Sequence, residues 1–194
     1  MYTEFEATFV NIRKSDVRAR LKNAGAKLIR KEYMQKRVVF NLPKGNEIKG
    51  GWLRVRDEGN KITMSLKIVD GDKIENQKET QLTVDSFEQA IALLESIGCV
   101  KKAYQESKRE LWELNGVEIT IDEWPFLEPF IEIEGKSEEE VRAVAEKLDF
   151  DYKKAKFCDA GTLYSDKYGI SEDRINNYTP EIVFNEENPF TKQY

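Results

Sequence analysis

Five carboxylates stand in short patterns at the two ends of the chain, at a spacing that suits cation chemistry. In FIEIEG, Glu132 and Glu134 alternate with Ile131 and Ile133, so an extended backbone puts the acids on one face and the isoleucines on the other. Near the N-terminus, Glu4 and Glu6 share a face with Thr8, while Phe5, Ala7 and Phe9 form the reverse side. Asp122 and Trp124 share a face of the strand that precedes Glu132 across the turn WPFLEP. Carboxylates this close raise one another's pKa unless a cation intervenes. A metal ion or a cluster of Lys and Arg would relieve that repulsion. The same alternation also suits an ordinary amphipathic strand whose acids face water.

Cations with matching periodicity lie between these ends. In WLRVR, Arg54 and Arg56 share a face opposite Leu53 and Val55. Lys67 falls with Thr63 and Ser65, opposite Met64, Leu66 and Ile68, and the next strand groups Glu79, Gln81 and Thr83. Lys108 and Arg109 follow in a lysine-rich strand. Histidine is absent, which excludes Ser-His-Asp and Cys-His catalysis and histidine-ligated zinc or iron. A metal here must be a hard cation held by carboxylates, Mg²⁺ or Mn²⁺ by default. Cys99 and Cys158 are too few and too far apart for a disulfide framework or zinc site and read as free thiols. The segment PKGNEIKGG lacks the spacing of a phosphate-binding loop and reads as a hairpin connection.

The elements that must position these groups are mostly strands. Helices are expected at Asp16 to Ala24 (Ser15 as cap, Gly25 as stop), at Phe87 to Ser96 behind Asp85-Ser86, from Ser137 to Leu148, and around Ala160 to Tyr168. Strands are expected over Lys27 to Leu42, as one or two, then Trp52 to Arg56, Ile62 to Val69, Lys78 to Val84 and Cys99 to Leu114. The two strands of Gly116 to Gly135 follow. From Ile170 the tail reads as polar and Asn-rich, with one strand at Glu181 to Phe184. Helices this few cannot support regular βαβ alternation, which favours an antiparallel α+β fold or barrel. A barrel with helices outside would put the charged faces inside, where they need a ligand or mutual pairing.

The 194 residues suit one domain. A net charge of −5 argues against partners such as nucleic acid or an anionic membrane surface. With neither a signal peptide nor an apolar run of about 18 residues expected, the cytoplasm is the expected location.

Taken in order, the strand with Glu4 and Glu6, LRVR at Leu53 to Arg56, Lys67, Glu79, Arg109 and ITIDEW…FIEIEG resemble the CYTH family. That family, the triphosphate tunnel metalloenzymes, takes its name from class IV adenylyl cyclase and thiamine triphosphatase. The resemblance spans roughly Tyr2 to Gly169. It implies an eight-stranded antiparallel β-tunnel over residues 1–170, with 171–194 as a tail packing on or extending it. It implies Mg²⁺ or Mn²⁺ at Glu4, Glu6, Asp122, Glu132 and Glu134, and a triphosphate gripped by Arg54, Arg56, Lys67 and Arg109. Glu79 would orient one of the basic groups. The family's first motif carries a lysine where this chain has Thr8, and Gln81 is neutral where many relatives carry an acid. Thr8 can still donate a hydrogen bond to phosphate. Lys36, Arg37, Lys108 and Lys192 are candidates to supply the lost charge. The resemblance implies hydrolysis of inorganic, thiamine or nucleoside triphosphate, with catalysis from Glu4, Glu6, Arg54, Lys67 and Glu79. Cyclisation of ATP and non-catalytic binding are the alternatives. A monomer or homodimer is expected.

Overall fold

Strand alternation, rather than helix content, decides the architecture. The structure, a computed structural model, describes residues 1–191. Its strands are β1 (Tyr2–Thr3), β2 (Phe5–Phe9), β3 (Lys27–Asn41), β4 (Gly51–Asp57) and β5 (Ile62–Val69). Then come β6 (Gln77–Val84), β7 (Val100–Leu114), β8 (Val117–Glu123), β9 (Phe130–Gly135) and β10 (Glu181–Ile182). They form one sheet in the order β1-β6-β5-β4-β3-β7-β8-β9-β2, and every pairing on that path is antiparallel.

The two edges of this sheet belong to one stretch of chain. β1 pairs with β6 and β2 pairs with β9, and only Glu4 separates them. The Glu4 amide donates to the Gln77 carbonyl at 2.9 Å, and Gln77 Nε2 donates to the Glu6 carbonyl at 2.8 Å. The sheet therefore curls into a nearly closed barrel. Among the described residues ten strands are present instead of the expected eight, because the N-terminal strand is broken at Glu4 and β10 lies off the path, parallel to β7.

Three apolar clusters on the outside of the sheet are covered by helices. Ala7, Ile119, Ile121, Ile131 and Ile133 meet Val17 and Leu21 of α1 (Lys14–Asn23) and Val141, Val144 and Ala145 of α3 (Glu138–Lys147). Burying an isoleucine fully contributes about 1.5–3 kcal/mol, so this seam anchors the strands that carry the acids. Val38, Phe40 and Val55 pack on α2 (Phe87–Ser96), and Trp124 and Phe130 on α4 (Ala160–Tyr168), α5 (Glu172–Tyr178), Ile182 and Phe190. With the apolar faces outward, the charged faces line the interior. Among the described residues, no helix is long and apolar enough to cross a membrane.

Ser86, Ser137 and Asp159 cap α2, α3 and α4 with their side chains. α1 departs from expectation: it starts at Lys14, Arg13 is its cap residue, and the Ser15 hydroxyl bonds the Asp16 carboxylate instead. The tail departs further, since Ser171 caps α5, a helix not foreseen in the sequence, and the expected strand shrinks to Glu181–Ile182. Ile175 is the buried apolar residue of α5, too little for a helical period to register.

At the open end of the β4–β5 hairpin Gly50 has a φ of 66°, and an added Cβ would lie 2.0 Å from the Val69 carbonyl oxygen. Gly50→Ala is expected to cost about 2 kcal/mol or more, from strain plus backbone displacement. Gly45→Ala, with positive φ but open space, should cost only about 1 kcal/mol. Thermal melts of the two variants compare these costs directly.

Candidate functional site

Inside the barrel, the acids foreseen in the sequence meet across strands. Glu6 lies opposite Glu134, Thr8 opposite Glu132, and Thr120 opposite Glu132 on the other side. Asp122 is fully buried and Glu4 is 5% exposed. Lys67 Nζ sits 2.9 Å from Glu4 Oε2. Arg109 reaches furthest among the acids: Nε lies 2.8 Å from Asp122 Oδ1 and Nη2 lies 2.6 Å from Glu132 Oε2. Thr120 donates its hydroxyl to Asp122 Oδ2 at 2.7 Å.

The electrostatics divide these acids into two groups. Burial opposes ionisation of Asp122, but the bidentate Arg109 keeps its carboxyl below the usual range. Burial likewise opposes the Glu79 charge, yet Lys67 and Arg54 hold it down at about 2. Glu6 goes the other way: burial, then Glu134 and Glu4, push it up to about 7 against the pull of Lys67. Glu134 rises to about 7 by burial and by Glu4 and Glu118. Glu132 is also raised well above the usual carboxylate range, by burial, Glu6 and Asp122, although it shares Arg109. Three acids thus sit where added positive charge would be favourable.

Next to them is a group of guanidinium side chains. Arg54 Nη2 lies 3.1 Å from Glu79 Oε1, and Arg56 Nη2 lies 2.7 Å from Glu58 Oε1. Burial and then Arg56 bring Arg54 down to about 10. Arg37 also points inward, 5% exposed, with Arg56 as its register partner. Buried atoms without a hydrogen-bond partner gather here, among them Nε of Arg37, Arg54 and Arg56, Thr63 Oγ1 and Ser65 Oγ. Buried polar atoms are ordinarily satisfied, so this concentration marks hydrogen-bonding capacity that a polar ligand or water would use.

The family model for the CYTH domain matches residues 12–159. The chain belongs to the CYTH family. The matched span contains every foreseen site residue except Glu4, Glu6 and Thr8, which lie on the closing strand just before it. No curated protein matches the sequence. Solved structures share the fold. A conserved hypothetical protein from Pyrococcus furiosus superposes with a TM-score of 0.66 and 23% identity, over 80% of this chain and 96% of its own. A protein from Vibrio parahaemolyticus described as a candidate adenylate cyclase gives 0.72 and 13%, over 84% and 98%. The Hippeastrum protein HpAC1, described by a dominant triphosphatase activity, gives 0.57 and 14%, over 87% and 97%.

CYTH triphosphate tunnel enzymes generally depend on a divalent metal. Among the described residues here, no three acidic or cysteine side chains are gathered as a ready metal-binding group. The cause is visible in the pairing, because Lys67 engages Glu4 while Arg109 engages Asp122 and Glu132. The donor chemistry nevertheless fits a hard cation: the acids and hydroxyls offer oxygen donors, with Glu6, Glu132 and Glu134 raised by burial and by neighbouring carboxylates.

The foreseen basic residues Arg54, Arg56, Lys67 and Arg109 all face the interior. Of the candidates to offset Thr8, Arg37 lies inside. Lys108 lies on the opposite phase of β7, paired with Glu123 and over the Phe184 ring, and Lys36 is exposed. Lys192 falls outside the described residues. Sequence reading missed Glu58, Gln35, Ser107 and Tyr2. Gln35 and Ser107 share the inward phase of Arg37 and Arg109, a signal that uncharged residues do not advertise. The Tyr2 hydroxyl donates to Glu79 Oε2 at 3.3 Å, and burial with Glu79 pushes its pKa to about 12.

Proposed function

We propose that this protein binds a triphosphate with Mg²⁺ or Mn²⁺ in its barrel and hydrolyses it. One observation carries the reading: crowded acids that would take up positive charge adjoin guanidinium edges that would take up negative charge, inside one buried interior. A metal-bearing polyphosphate matches both halves, and a plain anion or plain cation matches only one.

On this reading Glu4, Glu6, Asp122, Glu132 and Glu134 hold the metal. Arg54, Arg56, Arg109 and Lys67 hold phosphoryl oxygens, two at a time where a guanidinium fork allows it. Lys67 and Arg109 turn from carboxylates to phosphate when the ligand enters. Glu79 keeps Arg54 and Lys67 aimed inward, and the Thr8 hydroxyl donates a hydrogen bond. The divalent ion supplies neutralisation of phosphoryl oxygens as charge develops. Water attacks the terminal phosphorus in line and gives up a proton to solvent, the bond to the bridging oxygen breaks to release pyrophosphate or the corresponding diphosphate ester, and the arginines stabilise the charge spread over the equatorial oxygens. Hydrolysis ranks above cyclisation because it needs no ribose site, and it agrees in kind with the activity described for the Hippeastrum protein.

The test is a panel of tripolyphosphate, thiamine triphosphate and ATP with Mg²⁺ or Mn²⁺, following orthophosphate, pyrophosphate and cyclic AMP together. Orthophosphate is the expected product. Cyclic AMP with pyrophosphate from ATP would replace hydrolysis by cyclisation. In parallel, tripolyphosphate with Mg²⁺ is expected to raise the melting temperature, because a ligand at about 100 times its dissociation constant adds about 2.7 kcal/mol. No shift at millimolar ligand would count against triphosphate binding altogether.

A further inference from the structure

Arg37 differs from the other interior arginines in what surrounds it. Arg54, Arg56 and Arg109 each have a carboxylate within 3.1 Å. Arg37 is as deeply buried, yet its Nη2 donates only to the neutral groups Gln35 Oε1, at 2.8 Å, and Ser107 Oγ. Its Nε has no partner. The charged groups acting on it most are Arg56, Arg54 and Arg109, with Asp122 as the opposing acid. Guanidinium does not shed its charge in a protein, so Arg37 is a buried cation among cations.

Its position is fixed from several sides. The guanidinium carbon stands 4.2 Å from the Trp124 ring centre. Trp124 packs edge-on against Tyr164, whose hydroxyl donates to the Pro125 carbonyl at 2.6 Å, and Phe190 lies 4.6 Å from Tyr164. Gln35 and Ser107 are themselves fully buried. One face of the guanidinium is covered by indole and one edge is held by neutral acceptors, while the Nε edge lacks a partner. Such an arrangement costs stability in the free protein and is useful only if an anion comes to that edge.

We propose that Arg37 is a specificity-determining residue of this site, offering its unpartnered Nε edge to one phosphoryl group and so favouring triphosphate over shorter phosphates. The inference rests on the triphosphate reading above. Within that reading it gives one further phosphoryl contact to a residue held by Trp124, Gln35 and Ser107.

The experiment is titration calorimetry of the full chain with Mg²⁺ and either tripolyphosphate or pyrophosphate, for the parent, Arg37→Met and Arg37→Lys. Arg37→Met is expected to weaken tripolyphosphate at least tenfold, about 1.4 kcal/mol, and pyrophosphate less than about threefold. Arg37→Lys should fall between, since it keeps the charge without the fork. The unliganded Arg37→Met protein should melt at the parent's temperature or above it, because an uncompensated buried charge is gone. A folded Arg37→Met that binds tripolyphosphate as the parent does overturns the inference and leaves the triphosphate reading intact. Equal losses for both ligands overturn the preference for triphosphate. If neither variant folds, Arg37 is a structural residue and the inference fails. If the parent itself binds no tripolyphosphate, the underlying reading falls with it.

Discussion

Glu132→Gln and Glu134→Gln are each expected to lower metal-dependent orthophosphate release by about 100-fold or more while leaving the barrel folded. Their side chains point away from the apolar seam formed by Ile131 and Ile133, so the amide replaces charge without disturbing packing. The loss follows from removing an anionic oxygen donor to a hard cation, and second-layer changes alone typically cost 10–100-fold. A second readout separates this role from a structural one. Glu134 and Glu6 ionise near about 7 in the folded chain against an ordinary value of 4.5. A carboxyl raised by folding favours the fold in its protonated form, so its contribution is complete below pH 4.5 and is lost as pH climbs to 7. The metal-free parent should therefore lose thermal stability across that interval, and Glu134→Gln should lose less. Glu79 has the opposite sign, stabilising above pH 4.5 and giving way as pH falls toward 2. Activity lost together with the fold in both Gln variants would give the pair a structural role instead.

Thr8→Lys is expected to raise kcat for orthophosphate release at least about tenfold, a change that needs only about 1.4 kcal/mol in the transition state. Thr8 is buried, in phase with Glu4 and Glu6 and opposite Glu132. An ammonium there would meet Glu132, whose present cation is the shared Arg109. It would supply fixed positive charge beside the phosphate and let Arg109 move to the substrate. Preorganised charge of this kind typically contributes a few kcal/mol to transition-state stabilisation. The comparison is kcat of parent and variant at saturating Mg²⁺ with tripolyphosphate, and the variant's melting curve reports whether lysine is accommodated. Tighter binding with an unchanged or lower kcat, in a variant that folds, would sink the hydrolytic role of this position.

Strand alternation carried most of what could be read in advance. Where an acid or a base alternated with isoleucine, valine or leucine, as in FIEIEG and LRVR, the chemistry of each face decided its direction, because only one face can meet a helix. Arg37 was harder to place. Its strand reads QKRVVF, with two cations side by side, and nothing in one strand says whether Lys36 or Arg37 faces in. Register with Arg56 and the Trp124 ring settle it, and both are long-range facts. The short helix α5 was missed because it buries Ile175 alone, and the start of α1 was displaced because Arg13 caps it without a side-chain bond. The pairing of acids with Lys67 and Arg109 was also out of reach, since it depends on distances across the barrel.

The single stretch that makes both edges of the sheet has a consequence for the order of events in a cell. Residues 5–9 pair with 131–135, so this segment must wait for a barrel strand made much later in the chain before it has a partner. Joining segments so distant in sequence incurs a closure entropy that local hairpins such as β4–β5 avoid, which places this step late and makes it slow. Glu4 and Glu6 travel on that segment. The interior therefore gains its full set of acids only when the barrel shuts, and a partly folded chain that has built its hairpins and bound its helices still lacks acids that the proposed metal site requires. The proposed function and completion of the fold coincide in one strand.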